Sequence, residues 1–214
     1  MMMMIGPIST NKFKKMKKLI NLLVFVTLAL VGTNVFSYNT EPKIFIAELI
    51  NDAIETLSNK NISKKDKNKK IEIIALENVD IKALGMYTLG GVRKTLDKDT
   101  LKKYEKLFEK YFLKSLTSRL TDYSKQKFEV LSSDQKSETY TIVNSKIVEN
   151  SSQPEIKISW RVYTKDPNKP LIRDLIVEGL SLAKTQKEEF ASILNSNNND
   201  INILFSKLQE FINK

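Results

Sequence analysis

The 214-residue chain contains no cysteine and no histidine. The lack of cysteine excludes disulfides, thiol catalysis and thiolate metal sites. The lack of histidine removes the usual general base near neutral pH, the Ser-His-Asp triad and most zinc sites. The composition therefore excludes most conventional hydrolase chemistry.

Positive charge exceeds negative charge, with 35 basic and 25 acidic residues and a formal net charge of +10. Five of the lysines and none of the acids precede Tyr38, so residues 38–214 carry 30 basic and 25 acidic side chains, a net charge of +5. This excess is scattered, whereas nucleic-acid binding usually needs a concentrated basic face. We therefore expect no nucleic-acid partner.

One segment is unusually basic. "KNISKKDKNKK", from Lys60 to Lys70, holds six lysines in eleven positions. The favoured interpretation is a solvated loop or the start of a helix, and the alternative is a binding patch. Beside an anionic membrane surface, each of these lysines would contribute ~1 kcal/mol of attraction.

The N-terminal segment has the layout of an export signal. Lysines between Lys12 and Lys18 precede the apolar run "LINLLVFVTLALVG". Val35 and Ser37 suit the minus-three and minus-one positions of signal peptidase. The pattern predicts a cleaved signal peptide over residues 1–37 and export to the periplasm.

The start and the fate of this leader have alternatives. Met16 begins "MKKLINLLVFV", a better-proportioned signal than the full segment, so either Met1 or Met16 is the start. An uncleaved anchor is the second alternative, because Leu19 to Phe36 approaches the ~18 apolar residues that span a bilayer. Cleavage is favoured because polar and small residues interrupt the run. The mature chain, residues 38–214, then fits a single domain with its own core.

The pattern after the leader is helical. Apolar residues recur at intervals of three and four from Pro42, which predicts one helix. "IEIIALENVDIKALGMYTLGG" predicts two short helices that end at Gly90 and Gly91. A long amphipathic helix is expected in "DKDTLKKYEKLFEKYFLKSLTSRLTDY", where Asp97 is a natural N-cap.

The apolar period then changes to two, which is typical of strands. "KFEVLSS", "ETYTIVNSKIV", "EIKISWRVYT" and "PLIRDLIV" are rich in β-branched and aromatic residues. "KDPNKP", between the last two, is a turn by composition. A helix after Gly179 and a last helix capped by Asn199 and Asp200 complete the chain. The predicted fold class is α+β, with a four-stranded antiparallel sheet packed against several helices.

Two local patterns are weak indications of catalysis. "SLAK", starting at Ser181, matches the Ser-x-x-Lys of penicillin-binding enzymes, but no companion motif is present. Asp174 and Glu178 are carboxylates four residues apart, and paired carboxylates can do acid–base work. We favour a structural role, in which these carboxylates hold Arg173 or Lys187 in surface ion pairs.

The stretch "DLIVEGLSLAKTQKEEFASIL" resembles the signature of the MlaC family, also called the toluene-tolerance auxiliary component family. The family pattern is an Asp, an apolar pair, Glu-Gly, an apolar residue, Ser, and then a basic residue and Glu-aromatic on a helix. A second block, "LGGVRKTLDKDTLKKYEKLFEKYF", resembles the family's Leu-Gly, basic stretch and long helix. Val92 and Arg93 depart from the pattern, because family members often carry an aromatic pair there. The residues at the signature positions are Asp174, Glu178, Gly179, Ser181, Lys187, Glu189 and Phe190.

The resemblance implies a phospholipid carrier of the periplasm, and not an enzyme. Members of the family carry lipid between an outer-membrane lipoprotein complex and an inner-membrane ABC transporter with an MCE-type subunit. The implied protein is a monomer with phospholipid as cargo and with no cofactor or metal. An apolar cavity between the sheet and the helices is expected to hold the lipid. The residues expected to line it are Met86, Leu89, Val92, Phe108, Phe112, Leu116, Val143, Ile158, Trp160, Val162, Leu175, Val177, Leu180 and Phe190.

Two other functions remain as alternatives. An enzyme of the small-pocket α+β type would use Asp174 or Glu178 as a base on an apolar substrate. An adaptor that only docks partners would have a filled core and no cavity. The residues by themselves favour a filled core, and the family resemblance favours the cavity.

Overall fold

The computed structural model describes residues 37–120, 127–148 and 155–214. The predicted export signal, residues 1–37, lies outside these ranges except for Ser37. The chain from Tyr38 onwards forms one unit with its own internal contacts. No helix in the described ranges has the length and apolar character that crossing a bilayer requires.

The described N-terminal part of the chain is helical, as predicted. The elements are α1 (Pro42–Ser58), α2 (Lys64–Asn78), α3 (Ile81–Thr88), a 3-10 turn (Val92–Lys94) and α4 (Lys98–Leu120). The two short helices predicted between the lysine-rich segment and the two glycines correspond to α2 and α3.

Side-chain caps determine where these helices begin. The Ser63 hydroxyl accepts a hydrogen bond from the Asp66 backbone N–H at 3.1 Å, so the lysine-rich segment is the start of α2. The Asp97 carboxylate accepts from the Thr100 backbone N–H at 2.8 Å, which confirms the predicted N-cap of α4. This hydrogen bond, together with that from the Thr100 hydroxyl, lowers the pKa of Asp97. Both caps satisfy N–H groups that have no partner within the helix.

The second part of the chain forms an antiparallel sheet and two further helices. The strands are β1 (Lys127–Ser137), β2 (Tyr140–Val148), β3 (Ile156–Tyr163), β4 (Leu171–Val177) and β5 (Leu180–Ser181). They lie in sequence order in the sheet. The helices are α5 (Leu182–Asn195) and α6 (Ile201–Ile212). The α+β class is therefore confirmed, and the sheet has five strands instead of the four predicted, because β5 adds a two-residue edge.

The strand register places the predicted apolar residues on one face, which we call the inner face. Val143 pairs with Trp160, and Trp160 pairs with Leu175. Ile158 pairs with Val177 further along β3. Because side chains directly opposite one another share a face of the sheet, all five belong to the inner face.

Two apolar cores hold the unit together. α1 lies against β1 and β2, whereas α3 and α5 pack against β4. The sheet core consists of Phe45, Ile46, Leu49, Ile50, Val143, Val162 and Ile172. The helical core consists of Ile81, Leu89, Tyr104, Phe108, Phe190, Leu194, Leu204, Phe205 and Leu208. Each large apolar side chain that is fully buried contributes about 1.5–3 kcal/mol, so both layers have their own source of stability.

α3 and α4 approach each other closely at Gly85. A Cβ built on Gly85 would lie 2.8 Å from a ring carbon of Phe108. Phe108 has little room to move, because it is 2 % exposed and its ring contacts those of Tyr104 and Phe190. The absence of a side chain at Gly85 therefore allows the two helices to pack at this distance.

We expect Gly85→Ala to lower the free energy of unfolding by about 1–2 kcal/mol. Overpacking costs about 1–3 kcal/mol, and the helix propensity of Ala returns up to ~1 kcal/mol of that. Gly91→Ala is the matched control, because a Cβ there meets no atom within 4 Å and φ is −70°. Urea unfolding of both variants checks the prediction, and equal stabilities would show that the close approach does not matter.

Candidate functional site

Asp174 connects the sheet to the helix that follows it. Asp174 is 4 % exposed, and its two oxygens accept hydrogen bonds from the Ser181 hydroxyl at 2.6 Å and the Ala183 backbone N–H at 3.0 Å. Ser181 is the N-cap of α5, where its hydroxyl accepts from the Lys184 backbone N–H at 3.0 Å. A negative charge at a helix N-terminus is also favoured by the helix dipole. The hydrogen bonds of Asp174 and Ser181 therefore hold the first turn of α5.

Glu178 and Gly179 form the two-residue turn between β4 and β5. Their φ angles are 49° and 82°, and Val177 pairs with Leu180 across the turn. Positive φ at both central residues defines a type I′ hairpin turn, which favours glycine. A Cβ on Gly179 would meet no atom within 4 Å. Glycine is therefore favoured here by the backbone conformation and not by a lack of space for a side chain.

The two signature carboxylates do not form the predicted ion pairs with Arg173 or Lys187. The cation within 4 Å of Asp174 is Arg161, whose Nη1 lies 3.8 Å from Oδ2. The Glu178 carboxylate accepts a hydrogen bond from a backbone N–H of β3. The two carboxylates therefore have separate structural partners and do not converge on one point.

Arg173 has a different partner because β4 is irregular at this position. The register shifts so that Arg161 pairs with Asp174 but Val162 pairs with Ile172, which leaves Arg173 as the extra residue of a bulge. A bulge changes the direction of a side chain. The Nη2 of Arg173 lies 2.7 Å from Oδ2 of Asp80, at the start of α3. This ion pair links the sheet to the helical layer and was not predicted.

The structure places most of the predicted lining residues in two groups. Six belong to the helical core or pack against it: Met86, Leu89, Val92, Phe108, Phe112 and Phe190. Six lie on the inner face of the sheet: Val143, Ile158, Trp160, Val162, Leu175 and Val177. Leu116 is half-buried on α4. Leu180 is 69 % exposed, so it is a surface residue and not part of an interior wall.

Seven of these residues are half-buried, and we call the five of them that lie on the inner face or on the C-terminal half of α4 the lining set. They are Phe112 and Leu116 of α4, Trp160 of β3, and Leu175 and Val177 of β4. α4 packs mainly on α2, α3 and α6, and the described residues include no comparable packing of α4 on a strand. A filled core usually buries Phe, Leu and Val side chains completely, whereas Trp is rarely fully buried. Both the inner face and the C-terminal half of α4 therefore retain apolar surface that the fold has not covered.

The ring of Trp160 is held in position by a buried hydroxyl. Its Nε1 donates to the Ser145 hydroxyl at 2.9 Å, and that hydroxyl donates to the Ile158 carbonyl at 3.2 Å. Ser145 is 2 % exposed. The hydrogen bonds satisfy the polar end of the indole, so that its apolar part is presented on the inner face.

A separate pocket of about 530 Å³ lies beside the C-terminal end of α3. Leu89, Val92 and Leu194 give it an apolar lining, and Lys187 is its charged residue. Leu89 and Val92, which were predicted to line the lipid cavity, therefore line this pocket and do not belong to the lining set.

The sequence reasoning missed Phe128 and Val130, which pack against the sheet core from β1. Their alternation in "KFEVLSS" was the available signal, because it places both on one side of the strand. Tyr104, which the apolar period of α4 places on the same side of the helix as Phe108, is fully buried and shares a 2.8 Å hydrogen bond with the Thr88 hydroxyl. Burial raises the pKa of Tyr104, so the phenol stays neutral in the helical core.

The chain is similar to a known protein family and to solved structures. The family model described as MlaC protein matches residues 47–210, so the chain belongs to the MlaC family. A solved structure with the same fold is the phospholipid-binding protein from Ralstonia solanacearum, determined in complex with a phospholipid. It has a TM-score of 0.66 and 17 % sequence identity, and the match covers 81 % of this chain and 97 % of that chain. No match was found among the curated proteins.

We expect Asp174→Asn to lower the free energy of unfolding by about 1–3 kcal/mol. The amide replaces an oxygen that accepts from Ser181 with a group that can only donate, and a buried polar group without a partner costs this much. Asp134→Asn is the control, because its side chain is on the exposed part of β1. Urea unfolding measures both variants, and an unchanged stability of Asp174→Asn would contradict a structural role.

Proposed function

We propose that this protein is a periplasmic phospholipid carrier. Membership of the MlaC family and the likeness to a phospholipid-bound neighbour support a phospholipid-binding function. The observation that carries the proposal is the lining set, because large apolar side chains on two layers remain partly uncovered. Such surface is unfavourable in water unless a ligand covers it.

Acyl chains are ligands of the right chemistry for this surface. Two chains contain about 30 methylenes, each worth ~0.8 kcal/mol on transfer from water. A bare phospholipid in water would therefore lie roughly 20 kcal/mol above one whose chains are covered. A protein that covers both chains removes most of that barrier.

The residues considered for catalysis have structural partners. Both oxygens of Asp174 accept hydrogen bonds within the fold, and the Ser181 hydroxyl is used in the N-cap of α5. A general base must reach the proton that it removes, and Asp174 is buried. These contacts support a binding function over the small-pocket enzyme.

The proposed path of the lipid follows from the family. The export signal would place the carrier in the periplasm, as a monomer. There it would exchange lipid with an inner-membrane ABC transporter that has an MCE-type subunit and with an outer-membrane lipoprotein complex. No nucleic acid and no cofactor are part of this proposal.

Phospholipid is expected to copurify with the protein at about one molecule per chain. Purification without detergent, followed by organic extraction, mass spectrometry and a phosphate assay, measures identity and stoichiometry. Asp174→Asn should keep its lipid, because Asp174 lies in a structural join. A native preparation free of phospholipid would count against the carrier.

Val177→Trp is expected to remain folded and to lose bound phospholipid. Val177 is half-buried at the end of β4 on the inner face, so an indole there would take the space of acyl chain. Leu180→Trp is the matched control, because Leu180 pairs with Val177 but is 69 % exposed. Circular dichroism measures folding and lipid extraction measures loading. Lipid retention by a folded Val177→Trp, or equal loss from both variants, would contradict the proposed wall.

A further inference from the structure

The outer face of α2 combines positive charge with exposed aliphatic side chains. Lys65, Lys69, Ile73 and Leu76 are spaced by four, four and three residues, which places them on one face of a helix. The opposite face carries the buried residues of α2, among them Ile71. The four outward residues therefore form a continuous stripe, which we call the α2 stripe.

The aliphatic part of this stripe is unusually open to solvent. Ile73 is 45 % exposed and Leu76 is 47 % exposed. Single exposed apolar residues are common on protein surfaces, whereas adjacent ones more often mark an interaction surface. Ile73 and Leu76 are adjacent on the solvent-facing side of α2.

The basic part of the stripe has charge that the fold does not neutralise. Within the described ranges, the side-chain ammonium groups of five of the six lysines between Lys60 and Lys70 make no hydrogen bond or ion pair, and the ammonium group of Lys67 donates to the Leu57 carbonyl. The nearby acid Asp66 already accepts from the Ser63 hydroxyl at 2.6 Å. Glu72 lies on the same face, between Lys69 and Leu76. Together with Asp66 and Glu77 it leaves residues 60–78 with a net charge of +3.

We propose that the α2 stripe binds the surface of a bilayer that contains anionic phospholipids. Lysines attract anionic headgroups without needing a fixed geometry, and aliphatic residues beside them enter the headgroup boundary. Long lysine side chains can also reach headgroups while neighbouring apolar residues lie deeper. An acidic protein partner would match the lysines but would need a complementary pocket for Ile73 and Leu76.

α4 shows that charge by itself does not define this surface. Lys102 and Lys106 are also exposed and four residues apart. None of the large exposed apolar residues in the described part of the chain lies on α4. The combination of both features therefore distinguishes α2 from α4, and α4 supplies the control.

This inference does not depend on cargo, since a surface can bind a bilayer whether or not the protein carries lipid. The test uses the chain from Tyr38, which contains both apolar cores. The chain is sedimented with vesicles of phosphatidylcholine and phosphatidylglycerol, and with vesicles of phosphatidylcholine alone. Binding is expected with the anionic vesicles in low salt and is expected to weaken in high salt.

Two pairs of double variants locate the binding surface. Lys65→Gln/Lys69→Gln should lower the affinity for anionic vesicles roughly 30-fold, since each lysine contributes ~1 kcal/mol. Lys102→Gln/Lys106→Gln removes the same charge from α4 and should change the affinity much less. Ile73→Ser/Leu76→Ser should also weaken binding, whereas Leu131→Ser, at a residue that is 49 % exposed on β1, should not.

The proposal is overturned if the wild-type chain does not prefer anionic vesicles, which is also the outcome expected for an acidic protein partner. It is overturned as well if the two lysine variants lose affinity equally, because net charge would then be sufficient. Lipid extraction from the same variants keeps the two proposals separate. If the α2 variants keep their bound phospholipid but lose vesicle binding, the result supports the α2 stripe. If the wild-type chain carries no phospholipid but still binds vesicles, the result contradicts the proposed carrier function and not the α2 stripe.

Discussion

The junction between the two layers of this protein depends on one buried carboxylate, that of Asp174. Its oxygens hold the first turn of α5, and α5 brings Phe190 and Leu194 into the helical core. Burial of a carboxylate costs several kcal/mol unless its hydrogen bonds are complete, so the geometry of this join is restricted. The Arg173–Asp80 ion pair forms a second link between the layers. These polar contacts position the layers without requiring apolar packing at every point between them.

This arrangement separates stability from binding. In a filled core, apolar side chains are covered by other protein atoms. In a lipid-binding surface, apolar side chains must stay accessible to the lipid. Here the sheet core and the helical core are filled by different residues. The lining set belongs to both layers and remains half-buried. The protein can therefore keep uncovered apolar surface while two other groups of residues stabilise the fold.

Local patterns predicted most of the fold. The N-cap at Asp97, the two helices after the lysine-rich segment and the alternation in β3 depend on residues close in sequence, and the structure agrees with each. β5 was missed because two residues are too few to show a period. The predicted partners of Arg173 were wrong because a bulge in β4 redirects the side chain toward Asp80, 93 residues away. Leu180 was placed in the lining because its apolar character does not show that it lies beyond a turn, on the surface.

The sequence by itself determined the exclusion of cysteine and histidine chemistry, the order of helices and strands, and the signature that indicates the MlaC family. These properties depend on composition and on short-range hydrogen bonds and periodicity. Only the tertiary structure decided which apolar residues are covered and which remain half-buried. It also assigned the partners of Asp174 and Arg173 and placed Ile73 and Leu76 in solvent. The physical reason is that burial and side-chain direction depend on neighbours that are distant in sequence.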